Sequence, residues 1–200
     1  MILWRKNILL DPSIHNQLQA EIKSEVFYNK GIDNLYTSYN KQDLFDKTGV
    51  IGNYYNALIS DIMIDLSLYK RTSYIVKWWA QLYNSNTTGH GDHDHFSGYE
   101  HISWVHFVST PKQKCFYFSN DKNEKSYIDD QNSGDFIVFP SWAKHGVDKV
   151  IDDNFDRLVV AGNVEIKSFH ICKSDGDSKL TLQPPKRAHQ NLIVWKYEKI

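Results

Sequence analysis

The chain has 200 residues, 41% of them apolar and rich in aromatics (6 Trp, 12 Tyr, 10 Phe), enough for one domain with a sizeable core. Lys and Arg number 23 against 24 Asp and Glu, for a formal charge of -1 and no Lys/Arg-rich block, so the electrostatic footprint of a dedicated nucleic-acid binder is missing, although a nucleotide or nucleic-acid substrate stays open. Cys115 and Cys172 are too few for a secreted disulfide scaffold, no stretch reaches the length of a membrane span, and Met1-Ile2-Leu3-Trp4-Arg5-Lys6 lacks an apolar leader core, which together predict a soluble cytoplasmic protein.

Asp11-Pro12-Ser13 reads as a helix start, with Asp11 as N-cap and Pro12 at the first helical position. Ile14, Leu18 and Ile22 then recur at helical spacing to about Lys23. Residues 28–48 are polar and read mostly as loop. A stronger helix is predicted from about Asn53, where Tyr55, Ile59, Ile62, Leu66 and Tyr69 form one apolar stripe and Asp61 and Asp65 lie off it. From Ser73 the period changes. Residues 74–83 are aromatic and β-branched, a strand signal, and residues 84–100 read as a Gly/Asn/Asp/His loop. Short strands are predicted over 102–108, 114–118, 135–139, near 147–151 and over 157–166, with turns at 119–122 and 130–134. Many short strands at regular spacing predict a sandwich or barrel. Beyond Ile166, residues 173–178 read as loop, Pro184-Pro185 as a break, and 192–195 as one more strand.

Nine histidines are present, and five fall between His90 and His106. His15, His170 and His189 are expected to be ordinary surface or core residues, and His101 and His106 structural members of a strand. His93-Asp94-His95 differs, because an i, i+2 pair on an extended strand offers two imidazoles to one side. His145 follows a Gly134-to-Pro140 lead that reads as strand then turn. Clustered imidazoles suit iron, zinc, copper or nickel alike. Twelve residues on, Arg157 opens the apolar run Leu158-Val159-Val160-Ala161-Gly162-Asn163. Its alternatives are a fixed cation for an organic acid, or a surface ion pair with Asp153 or Asp156.

His93-Asp94-His95, Ser103-Trp104-Val105-His106-Phe107-Val108, Gly134-Asp135-Phe136-Ile137-Val138-Phe139-Pro140-Ser141 ending in His145, and Arg157 through Asn163 resemble, in that order, a phage-type branch of the iron(II)/2-oxoglutarate-dependent oxygenases. Trp79 stands where an aromatic precedes the first histidine in such proteins. The likeness spans about residues 78–166. It implies a mainly β fold, a double-stranded β-helix (jelly roll) with the N-terminal helices packed on one sheet. The jelly roll would occupy about 73–166 of a single domain over 1–200, with a helical part at 1–72 and an extension at 167–200. The resemblance further implies Fe(II) on His93, His95 and His145, with 2-oxoglutarate as co-substrate held by Arg157 and Asn163. Dioxygen and a substrate not yet identified would be the other partners. The reaction would be decarboxylation of 2-oxoglutarate to succinate coupled to oxidation, usually hydroxylation, in a host's cytoplasm if the source is viral. The aligned pair is His-x-His where most of the superfamily has His-x-Asp. His90-Gly91-Asp92 has that spacing, and Asp94 and Glu100 are nearby carboxylates. A metal-binding cupin that does not use 2-oxoglutarate, or a non-catalytic binding protein on the same fold, are the competing readings. Trp142 stands where cupins usually carry glycine.

Overall fold

The computed structural model describes residues 1–30, 33–41, 45, 49–66, 68, 72–96, 99–151, 155–172 and 179–182. Its strands are β1 (Trp4–Asn7), β2 (Tyr28–Asn29), β3 (Leu35–Thr37), β4 (Thr72–Tyr83), β5 (His90–His93), β6 (Ile102–Ser109), β7 (Phe116–Ser119), β8 (Lys125–Tyr127), β9 (Asp135–Pro140), β10 (His145–Val147), β11 (Arg157–Cys172) and β12 (Lys179–Leu182). They form a large antiparallel sheet in the order β1-β9-β6-β11-β4-β3-β2, with β12 beside β11, and a small one in the order β5-β10-β7-β8. The fold is a double-stranded β-helix. Helices α1 (Pro12–Ile22) and α2 (Val50–Asp65) cover the outer face of the large sheet.

Strand alternation builds this architecture, because successive side chains leave a strand on opposite faces. Trp78, Ala80 and Leu82 of β4, Trp104 and Val108 of β6, Phe136 and Val138 of β9, and Leu158, Val160 and Val164 of β11 meet the helices. Their neighbours Trp79, Tyr83, Val105, Phe107, Ile137, Phe139, Val159 and Ala161 face the small sheet and its Phe116, Phe118 and Val147. Both faces of the large sheet are therefore apolar, which is why 102–108 and 157–166 read as nearly continuous hydrophobic runs.

Asp11 caps α1, its carboxylate accepting the Ser13 N–H at 2.8 Å, and Leu18 and Ile22 are buried as the helical spacing predicts. Helix α2 begins at Val50, three residues before the expected start, with Gly49 as N-cap. Tyr55, Ile59 and Ile62 are buried and Leu66 packs beside them, while Tyr69 lies outside the described residues. Asp61 and Asp65 are exposed, and Asp65 accepts Trp4 Nε1–H at 3.1 Å, tying β1 to α2.

Other expectations need correction. Strands β2 and β3 lie inside the supposed loop 28–48, and β5 inside 84–100. The strand expected near 147–151 is β10, which begins earlier, at His145, and ends at Val147, where it finishes its pairing with β7. Strand β11 continues past Ile166 to Cys172, because β12 gives its far end a partner. The segments 173–178, 184–185 and 192–195 lie outside the described residues, as does His189. Cys115 is a free, buried thiol. Among the described residues no helix is long and apolar enough to cross a membrane.

His106 is structural, as expected. It is fully buried on the helix side of β6, with Nε2 2.8 Å from the Ile8 carbonyl and Nδ1 3.0 Å from the Tyr55 hydroxyl. A carbonyl only accepts, so Nε2 carries the proton and Nδ1 accepts from Tyr55. Burial pushes the ring's pKa down to about 4. An unfolded chain takes up this proton near the ordinary histidine value, so stability is present above about pH 6.5 and is lost as pH falls toward 4. Urea midpoints measured from pH 7 to pH 4.5 are expected to fall, and to fall less steeply in His106→Gln. An identical slope in the two proteins would show that His106 does not contribute.

Candidate functional site

Strands β5 and β10 pair so that His145 lies directly opposite His93. His95 does not extend that strand, because β5 ends at His93. The two histidines are thus not an i, i+2 pair on one regular strand. His95 is placed instead by its own N–H, which donates to the Ser141 carbonyl at 2.9 Å and joins the turn after β5 to the turn after β9. The outcome is still convergent. Ring centroids are 5.2 Å apart for His93 and His95, 4.4 Å for His93 and His145, and 5.3 Å for His95 and His145. One nitrogen from each ring falls within 4.8 Å of the other two, a spacing that could hold one metal ion.

Hydrogen bonds set which nitrogens are free. His93 Nδ1 lies 2.9 Å from the Gly91 carbonyl and His145 Nδ1 lies 2.8 Å from the Ala143 carbonyl. Both Nδ1 atoms must therefore donate, which leaves each Nε2 with a bare lone pair, the form a metal requires. Burial pushes the pKa of His93 down to about 4 and that of His145 to about 3, with neighbouring histidines adding to the shift, and burial lowers His95 as well. All three are neutral at pH 7.

The carboxylates considered as replacements are held elsewhere. Asp92 accepts the Tyr117 hydroxyl at 2.5 Å and lies 3.7 Å from Lys144. His90 is bonded through Nδ1 to Asp33 at 2.8 Å, although its ring sits 4.5 Å from that of His93. Asp94 accepts the Phe96 N–H at 3.0 Å, and Glu100 lies 3.5 Å from Lys77. None joins the three-imidazole group. His101 is a backbone acceptor, its Nδ1 taking the Ile166 N–H at 3.2 Å.

The large sheet supplies the facing wall. Arg157, Val159, Ala161 and Asn163 follow one another along the inner face of β11. Trp79, paired with Ala161, has its ring 6.3 Å from that of His95, and Phe139, in register with Asn163 through Ser103, has its ring 5.0 Å from that of His145, so the histidines stand between the levels of Ala161 and Asn163. Arg157 lies at least four residues to one side, roughly 13 Å or more along the strand, and Asn163 is at the histidines' end of it. Among the described residues the surface ion pair considered for Arg157 does not form. Its side chain is buried, at 1% exposure, Asp156 pairs with Lys23 at 2.8 Å, and Asp153 lies outside the described residues. The guanidinium lies over the rings of Tyr83 and Phe107, 5.0 and 5.5 Å from their centroids, and among the described residues neither Nη1 nor Nη2 meets an acceptor in hydrogen-bonding geometry. Two buried, orphaned donors of a cation are costly unless an acceptor completes them. Asn163 is also buried, and its Oδ1 accepts the Ser103 hydroxyl at 2.9 Å.

Both walls enclose one cavity of about 550 Å³, lined by His93, His95, His145, Arg157, Asn163 and Trp79 among others. That volume lies within the range of small-molecule sites and exceeds the needs of a five-carbon diacid. Sequence reasoning missed Tyr83 and Phe107 around Arg157, although Tyr83 shares Trp79's strand parity. It also missed Tyr39, whose ring meets Trp79 edge-on at 4.8 Å, because nothing in the polar stretch 28–48 signals a cavity wall.

No protein-family model matches the sequence, and no curated protein matches it either. Solved structures do match. A Pseudomonas putida prolyl-4-hydroxylase superposes with a TM-score of 0.57 at 14% identity, over 81% of this chain and 91% of that one. A prolyl hydroxylase from Trichoplax adhaerens, solved with a hypoxia inducible factor peptide, gives 0.56 at 16% identity, over 81% and 82%. The non-heme alpha ketoglutarate dependent epimerase SnoN from nogalamycin biosynthesis gives 0.58 at 12% identity, over 92% and 91%. The chain has the fold of 2-oxoglutarate oxygenases. At these identities the likeness is one of fold, and the three neighbours include both hydroxylases and an epimerase.

Proposed function

We propose that the protein is an Fe(II)- and 2-oxoglutarate-dependent oxygenase, most simply a hydroxylase, which converts 2-oxoglutarate to succinate while oxidising a second molecule. The observation that carries this reading is the buried guanidinium of Arg157, whose orphaned Nη1 and Nη2 line the same cavity as three neutral imidazoles. A planar fork of two donors matches a carboxylate, and the strand spacing from Arg157 to the level of the histidines suits a short diacid lying between them. His93, His95 and His145 would hold the ion, His93 and His145 through Nε2 atoms left bare because backbone carbonyls take their Nδ1 protons. Fe(II) bound there would supply the redox chemistry by which dioxygen oxidises co-substrate and substrate together. The chain's part is to bind and orient. Arg157 fixes the distal carboxylate, Tyr83 and Phe107 hold the guanidinium, and Val105, Phe139, Val159 and Ala161 keep water from the walls. The likeness to the phage-type branch rests on motifs within residues 78–166, all of which lie on the two sheets or their connecting turns.

One observation favours a second reading. The metal group contains no carboxylate, and three imidazoles also suit a metal-binding cupin that does not use 2-oxoglutarate. Arg157 separates the two, because such a cupin gives it no role. Adding 2-oxoglutarate anaerobically to the Fe(II)-loaded protein is expected to produce a visible metal-to-ligand charge-transfer band. A protein that binds Fe(II) stoichiometrically without developing the band would be the cupin.

A further inference from the structure

Resting on the oxygenase reading, we propose that the cavity end opposite Arg157 takes a basic substrate, with an amine or guanidinium against Asp94 and Glu100 and an acceptor oxygen against the Asn163 amide. Charge is distributed along the cavity in this way. Among the described lining residues, the one cation is Arg157 at the cavity's buried end, and the carboxylates are Asp94, next to two of the histidines, and Glu100, whose neighbour Lys77 is in register with Asn163. Asp94 is exposed and has no cation within ion-pair distance among the described residues. Lys77, half exposed, stands 3.5 Å from Glu100, a long and weak pairing that a bound cation can share or replace. Trp79 and Tyr39, meeting edge-on at 4.8 Å, line the same cavity, and aromatic faces attract cations.

Asn163 is the independent sign of a ligand. It is 4% exposed, and the Ser103 hydroxyl occupies its Oδ1. Its Nδ2 finds no acceptor among the described residues, yet it is not sealed off like the atoms of Arg157, so it borders the cavity. The sequence expectation put Asn163 on 2-oxoglutarate beside Arg157. The two are six residues apart on β11, roughly 20 Å, with Asn163 at the histidines' end, so the distal carboxylate that Arg157 holds lies beyond Asn163's reach. The amide faces the substrate's share of the cavity, where it selects a carbonyl or carboxylate oxygen.

The test uses the Fe(II) protein with 2-oxoglutarate in air, reading succinate formed. The probes are L-lysine, L-arginine and N-acetyl-L-lysine methylamide, which distinguish a free amino acid from a basic side chain in a peptide, with L-norleucine and L-glutamate as neutral and acidic controls. At least one basic probe is expected to raise succinate formation about tenfold over norleucine, the scale of one desolvated cation contact. In Asp94→Asn/Glu100→Gln that preference should collapse, and in Asn163→Leu the KM for the basic probe should rise about tenfold through a lost buried hydrogen bond. Asn163→Asp, which keeps shape and removes the donor, serves where the leucine variant misfolds. Equal stimulation by norleucine, or none by any basic probe, overturns the proposal. So does weakened 2-oxoglutarate binding in Asn163→Leu, read from the charge-transfer band, because Asn163 would then serve the co-substrate. A wild-type protein without the band fails the oxygenase reading itself, whereas a band without preference for basic probes fails this proposal alone.

Discussion

Arg157→Ala is expected to weaken 2-oxoglutarate binding to the Fe(II) protein by roughly two to four powers of ten, the equivalent of about 3–5 kcal/mol for breaking a buried ion pair. The magnitude follows from burial. The guanidinium is sealed from water, so a carboxylate beside it has little solvent to fall back on once the cation is gone. Arg157→Lys keeps the charge and loses the two-pronged geometry, and it should fall between wild type and alanine. Iron content should stay stoichiometric in both variants, because Arg157 stands at least four residues along β11 from the level of the histidines. The measurement is a titration of 2-oxoglutarate against the charge-transfer band in the three proteins. Equal affinities would remove Arg157 from the site, and with it the main reason to prefer an oxygenase over another metal cupin.

The second large effect concerns the metal. Replacing His93, His95 and His145 together by alanine should abolish stoichiometric iron binding while the protein stays folded. The rings line a cavity and are not packed into the apolar layer against the helices, where His106 is tied to Tyr55 and Ile8. Loss of neutral imidazoles that titrate near 3 and 4 removes groups an acidified chain would have to protonate, so the apo variant should also resist acid better than wild type. Iron bound in full by the triple variant would show that the metal sits elsewhere, and His90 with Asp92 would be the next pair to replace.

Much of the framework was legible because it rests on period. The six-residue separation of Arg157 and Asn163 put both on one face, and the step between Trp78 and Trp79 sends one indole to the helices and the other to the cavity. Strands whose burial is not their own could not be read. Strand β8, Lys-Ser-Tyr, is exposed throughout and is a strand because β7 offers it an edge, and β1 has exposed side chains at Arg5, Lys6 and Asn7 and is held by β9. Pairing partners of this kind leave no periodic trace in the segment itself. At the site, His93 and His145 followed from their motifs. The reason His95 converges did not, because it is a hydrogen bond between two turns distant in sequence, from the His95 N–H to the Ser141 carbonyl.

The orphaned guanidinium also sets a thermodynamic handicap on the empty protein. A cation withdrawn from water with two unsatisfied donors opposes folding, and the rings of Tyr83 and Phe107 return only part of that loss. An apolar residue of similar length should therefore give a sturdier fold, as replacement of buried charges by well-packed hydrophobic side chains often does. Arg157→Met is expected to raise the urea midpoint of the ligand-free protein while abolishing its response to 2-oxoglutarate, and an unchanged or lower midpoint would mean that the rings offset the buried charge in full. Strength of fold and the proposed capacity to hold an anion would then pull this position in opposite directions.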